Sequence, residues 1–205
     1  MKTNHRAVVS PVSGPAIRPV TRAILLAVVL TAGGAAAARA ATPAGTGGFQ
    51  SDLDLYLGDA QQKLVALEDA TPQSKLTWRP APGVRSLSEV YMHVAYANYR
   101  ITALATGKEP PASAGWQADR AKWDTKTTDK AQIKAILEAS FAHMRDAVKS
   151  VPDADLDKKI PFFGKDVTRR AALLQLLAHA NEHLGQSIAY ARSNKITPPW
   201  SKTDK

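Results

Sequence analysis

Cysteine is absent from all 205 residues. No disulfide, thiolate nucleophile, cysteine-ligated zinc or lipid-anchored N-terminal cysteine is therefore open to this chain. Acidic residues are missing from the first 40 positions, which carry Lys2, Arg6, Arg18, Arg22 and Arg39. The apolar run that follows this basic stretch, AILLAVVLTAGGAAAA, has 16 residues with Gly33 and Gly34 inside it. That is short of the roughly 20 residues a membrane-spanning helix needs. A basic start, an apolar centre and the small-residue stretch ARA before Ala41 make residues 1–40 a secretory signal peptide, cleaved near Ala40. The expectation is an exported protein, periplasmic or extracellular, with no stable membrane insertion after cleavage.

Removing that segment changes the charge balance. The whole chain is +9, but five of its 27 Lys and Arg lie in the first 40 residues, so 22 basic residues face all 18 acids in the rest. A surplus of four with no cluster of Lys and Arg among aromatics is not a nucleic-acid footprint. The remaining 165 or so residues suit one domain that can bury a core without disulfides.

What is present is helical periodicity. Residues 41–48, ATPAGTGG, form a flexible leader. Leu53, Leu57, Ala60, Leu64 and Leu67 then recur at helical spacing, with Ser51 and Asp54 placed as a capping box. A second helix follows the proline-bearing TWRPAPGVR: Ser86 and Glu89 form its capping box, Val90, Val94, Ala97, Ile101 and Ala105 its apolar face, and Gly107 its end. The stretch KEPPASAGWQADRAKWDTKTTD has no period and is long for a bundle loop, so it is a candidate lid or partner surface. Ile133, Leu137, Ser140, Met144 and Val148 mark a third helix, ended by Pro152. A small hairpin is placed around Gly164. Thr168 caps a fourth helix, with Leu173, Leu176, Ala180, Leu184, Ser187 and Ala191 on its face. A proline-fixed tail, ITPPWSK, closes the chain, with 201–205 beyond the domain. The fold class is all-α, a four-helix bundle over residues 49–200. Its long connections argue against simple up-down-up-down wiring.

The fourth helix contains HANEH. At about 100° per residue, His183 falls near −60° and His179 near −100° from the centre of the buried stripe, one turn apart on one flank. His93 in YMHVAY occupies the same flank of the second helix. Bundles build metal sites at such core-facing edges, and ordinary core histidines also sit there. His143 lacks a partner motif and reads as a polar edge residue. HANEH matches the H-x-x-E-H string of inverted zinc proteases, but the one carboxylate after His183 is Asp204 in the tail, and Glu182 points near −160°. The protease reading is set aside.

The stretches RPAPGVRSLSEVYMHVAYANY and LLQLLAHANEHLGQSIAYAR, the latter followed by NKITPPWS, resemble the second and last helices of the DinB-like superfamily, which includes YfiT-like proteins. The resemblance covers roughly residues 50–200. It implies a four-helix bundle in which His93, His179 and His183 bind one divalent ion, with Gly185–Gln186 matching the motif's ending. It also implies homodimers and, in some branches, thiol-dependent transferases or isomerases.

Three imidazoles suit Zn²⁺, Ni²⁺, Co²⁺ or Fe²⁺, and three protein ligands leave a position for water or substrate. Gln186, Tyr190 and Arg100 lie on the same stripes and are candidates to orient ligands or a small-molecule substrate. Glu89, one turn from His93, is a weak candidate base. Two readings stand: a metal-dependent hydrolase or transferase, or a non-catalytic, stress-related bundle whose ion holds the second and fourth helices together.

Overall fold

A computed structural model describes residues 48–116 and 119–202. The proposed signal peptide, nearly all of the leader and the last three residues lie outside that range. Five α-helices and one hairpin occur in it: α1 Phe49–Ala70, α2 Leu87–Thr106, α3 Arg120–Asp124, α4 Lys130–Lys149, β1 Lys159–Phe162, β2 Lys165–Thr168 and α5 Arg169–Ser193. The four long helices are those the periodicity placed; α3 is an extra turn inside the aperiodic stretch. No helix of the described residues is long and apolar enough to cross a membrane.

Most helix ends follow from local chemistry. Ser86 Oγ accepts from the Glu89 amide while Glu89 Oε2 accepts from the Ser86 amide, the reciprocal cap expected. Gly107 ends α2 at φ +78°, where any side chain would be strained. Thr168 caps α5 through the Ala171 amide. The start of α1 differs from expectation. The helix begins at Phe49 behind an extended Gly48 and has no side-chain cap. Asp54 is instead engaged by Arg145, at 2.7 Å from Nε and 3.1 Å from Nη2. A bidentate pair of charges outcompetes one neutral cap.

The wiring explains the long connections. α1 packs on α4 and α5, and α2 also packs on α4 and α5, so α1 and α2 lie diagonally. Asp54 meets Arg145 near the start of α1 and end of α4, and Asp69 meets Lys134 at the other ends, so these helices are antiparallel. Arg170 lies over the Phe49 ring, which sets α5 parallel to α1. Gln73, just beyond α1, bonds the backbone at Thr128 and Lys130, while Ser88, at the start of α2, bonds Leu76. α2 and α4 therefore start at the same end and run parallel. The chain must travel the length of the bundle between them, about 30 Å for 20 helical residues. That return journey is the segment without a period.

α2 is the central helix. Tyr91, Met92, Ala95 and Tyr99 are buried along with the face the sequence pattern marked. Trp123 of α3 is fully buried beside it, donating from Nε1 to the Met92 carbonyl at 2.9 Å and setting its ring edge-on to Tyr99. The hairpin pairs Phe162 with Lys165 across a two-residue turn in which Phe163 and Gly164 both have positive φ, +48° and +78°. This is the type I′ pattern, which ordinarily selects Asn-Gly.

One buried group stands out. Glu68 on α1 has no exposure, and among the described residues neither carboxylate oxygen has a hydrogen-bond partner. Burial is the main force on it and pushes its carboxyl up to about 7, against the opposing pull of Lys130.

Candidate metal centre

α2 and α5 run antiparallel, and each turns its histidine flank toward the other. His93, His179 and His183 each offer one ligand atom, all within 4.8 Å of one another. His179 Nε2 lies 3.3 Å from His93 Nε2. The ring centroids stand 5.2 Å (His93–His179), 4.8 Å (His93–His183) and 4.4 Å (His179–His183) apart. His93 and His183 are only 8 % and 6 % exposed, and His179 is half-buried.

The electrostatics favour neutral imidazoles. Burial, then the neighbouring His183 and His93 and the charge of Arg85, hold His179 down to about 3. Burial also lowers His183, partly offset by Gln186. Neutral imidazole is the metal-binding form. With His179 and His183 held neutral, three converging ring nitrogens fit a borderline divalent ion.

The outward nitrogens are held. His183 Nδ1 is 2.7 Å from Gln186 Oε1, and Gln186 Nε2 donates to the Tyr190 hydroxyl at 3.0 Å. His93 Nδ1 is 3.4 Å from Asp124 Oδ1, an ion-pair distance without hydrogen-bond alignment. Asp124 Oδ2 accepts from Arg85 Nε at 2.9 Å. Burial raises the Asp124 carboxyl, but the nearby His93 ring and Arg85 outweigh it, and the net shift is downward. Such outer partners fix ring orientation and tautomer.

Of the residues singled out in the sequence, the three histidines converge, and Gln186 and Tyr190 form a relay behind His183. Arg100 forms no hydrogen bond or ion pair with these groups among the described residues; seven residues along a helix are about 10 Å, too far from His93. Glu89 is occupied by Arg79 and by the α2 cap, so it is not free to act as a base. Glu182 is exposed. His143 packs on Tyr99, 5.5 Å between ring centroids, outside the cluster. Asp124 and Arg85 were missed. Asp124 sits in the aperiodic stretch, where only the Trp123 before it, a residue that seeks burial, gave any signal. Arg85 directly precedes the Ser86 cap, and the cap fixes where it emerges.

Fold and centre together define a class: a helical bundle with an open cluster of three histidines between its central helix and its last. The DinB superfamily model matches residues 56–187, and the chain belongs to that family. It is similar in fold to a DinB-like protein of Bacillus cereus, with 22% identity, a TM-score of 0.60, and coverage of 74% of this chain and 93% of the other. A DinB-like protein of Bacillus subtilis aligns at 17% identity and TM-score 0.56, over 71% and 93%. No curated protein matches the sequence.

Proposed function

We propose that the protein is a metal-dependent enzyme of the exported compartment, using one divalent ion held by His93, His179 and His183 for hydrolysis or thiol-type transfer on a small molecule. The observation that carries this reading is the convergence of three ring nitrogens with no carboxylate among them. Asp124, 3.4 Å from His93 Nδ1, supports the ring from that side instead of joining the cluster. An ion there would keep a position for water or substrate, as catalytic sites do and closed structural sites do not. The ion would supply Lewis acidity and lower the pKa of a bound water. The protein's own part is to keep His179 and His183 neutral, fix His93 through Asp124 and fix His183 through Gln186. The purely structural ion is the second reading, and the same ligand set serves it.

The test is metal content by mass spectrometry on protein purified without added metal or a His tag, beside His179→Ala. About one divalent ion per chain in the first and almost none in the second is the expected result. Failure of the unmodified protein to hold Zn²⁺, Ni²⁺ or Co²⁺, even when added, refutes the site.

A further inference from the structure

The loop between α1 and α2 places a second cation beside the histidines, and its hydrogen-bonding capacity is only partly used. Arg85 Nε is committed to Asp124 Oδ2. Among the described residues, its Nη1 and Nη2 have no hydrogen-bond partner, and the side chain is 31% exposed. The other oxygen of the Asp124 carboxylate lies 3.4 Å from His93 Nδ1, so the guanidinium stands one carboxylate away from the cluster. A guanidinium is a planar fork, and the bond through Nε fixes its plane while leaving the terminal pair of N–H₂ groups presented.

The loop is built to hold that fork still. Arg79 Nη1 donates to the Val84 carbonyl at 2.8 Å, and its Nη2 reaches Glu89 at 2.8 Å, closing the loop on itself. The Leu87 amide bonds the Trp78 carbonyl at 3.1 Å. Trp78 packs edge-on against Tyr190, with centroids 5.5 Å apart, and Tyr190 is the end of the relay behind His183. Two sides of the centre thus anchor the segment that carries Arg85. The acids within reach are Asp124, already engaged by Arg85 and His93, and Glu182, exposed and on the His183 side.

We infer that Arg85 is a substrate-binding residue, and that the centre takes a small organic oxyanion, carboxylate or phosphoryl, shared between the free Nη pair and the open position of the ion. This rests on the metal reading above and assigns the substrate class to the same site. A bidentate fork beside a dication matches an oxyanion and opposes cationic ligands. It makes no comparable demand on a neutral ligand that binds the ion alone.

The experiment uses the protein loaded with one Co²⁺, whose visible spectrum reports what binds the ion. Acetate, inorganic phosphate and neutral imidazole are titrated into the unmodified protein and into Arg85→Gln and Asp124→Ala forms loaded to the same measured stoichiometry. The expected result is anion binding to the unmodified protein that weakens about tenfold or more in Arg85→Gln, while imidazole binds both alike. Asp124→Ala should lose metal affinity yet, once loaded, keep more of the anion binding than Arg85→Gln. A preference for acetate or for phosphate identifies the oxyanion. Equal anion affinity in Arg85→Gln and the unmodified protein, or imidazole binding with no anion binding in the unmodified protein, overturns the proposal. Absence of cobalt uptake by the unmodified protein is read before any anion is added; it marks failure of the metal reading itself and takes this one with it.

Discussion

Replacing Glu68 with glutamine should stabilise the protein above neutral pH and leave it unchanged in acid. The carboxyl is raised from 4.5 to about 7 in the folded state. Between those values the unfolded chain has released the proton and the folded chain still holds it, so the folded state binds more protons and stability falls as pH rises. The interval of roughly 2.5 pKa units corresponds to about 3 kcal/mol at most, reached once pH passes 7. For a domain of this size that is a rise in Tm of about 6–12 °C for Glu68→Gln near pH 8. The amide is never ionised, so it avoids the cost of a buried charge. His179 acts in the opposite sense: held at about 3, it contributes stability that is present above its unfolded value and lost as pH falls. A single melting curve therefore mixes two slopes. The assay is urea or thermal unfolding of both proteins, with metal chelated, from pH 4 to 8.5, taking the difference at each pH. The difference should be near zero at pH 4, grow through pH 4.5–7 and then level off. A flat difference, or a variant less stable than the parent at pH 8, refutes the account of Glu68 as a buried, proton-holding acid.

Two further outcomes follow from the geometry. Asp124→Ala should weaken metal affinity 10- to 100-fold by releasing the His93 ring, measured by competition with a chromogenic chelator; unchanged affinity would mean that packing alone orients the ring. Phe163→Asn should stabilise by about 0.5–1 kcal/mol in denaturant unfolding, because asparagine accepts positive φ at less cost than a bulky side chain. That figure is net of about 0.5 kcal/mol for losing the contact with Phe162, and a net loss would show that the aromatic pair outweighs the backbone strain.

The parts of this fold that announce themselves in the sequence are those governed by neighbours three or four residues away. The apolar stripes, the Ser86–Glu89 box, the Thr168 cap and the Gly107 stop were all legible. The core-facing flank of His93, His179 and His183 was legible from helical phase; that the three converge was implied only by the family resemblance. The failures share a cause in the same logic. Ser51 and Asp54 have a cap's spacing, but the partner that claims Asp54 is Arg145, on another helix. Arg100 has the right phase and the wrong height. Asp124 is brought to His93 by the burial of Trp123, and no local period records where a tryptophan in an irregular segment will dock. Glu68 was recoverable: it stands four residues after Leu64, on the stripe itself, where an acid should raise a question.

The diagonal placement of α1 and α2 bears on how this chain reaches its native state. Neither of the long helices that α1 packs against has been synthesised when α1 leaves the ribosome, and its partner α5 is the last long helix made. Among the described residues, α2 and α4 are the one consecutive pair of long helices packed closely together, so they form the earliest core available, with α1 closing over it only when the C-terminal third arrives. Helical proteins ordinarily fold fast because their contacts are local. Here nearly every interhelical contact is distant in sequence, and folding should be slow for an all-α domain, with the histidine cluster among the last features to assemble.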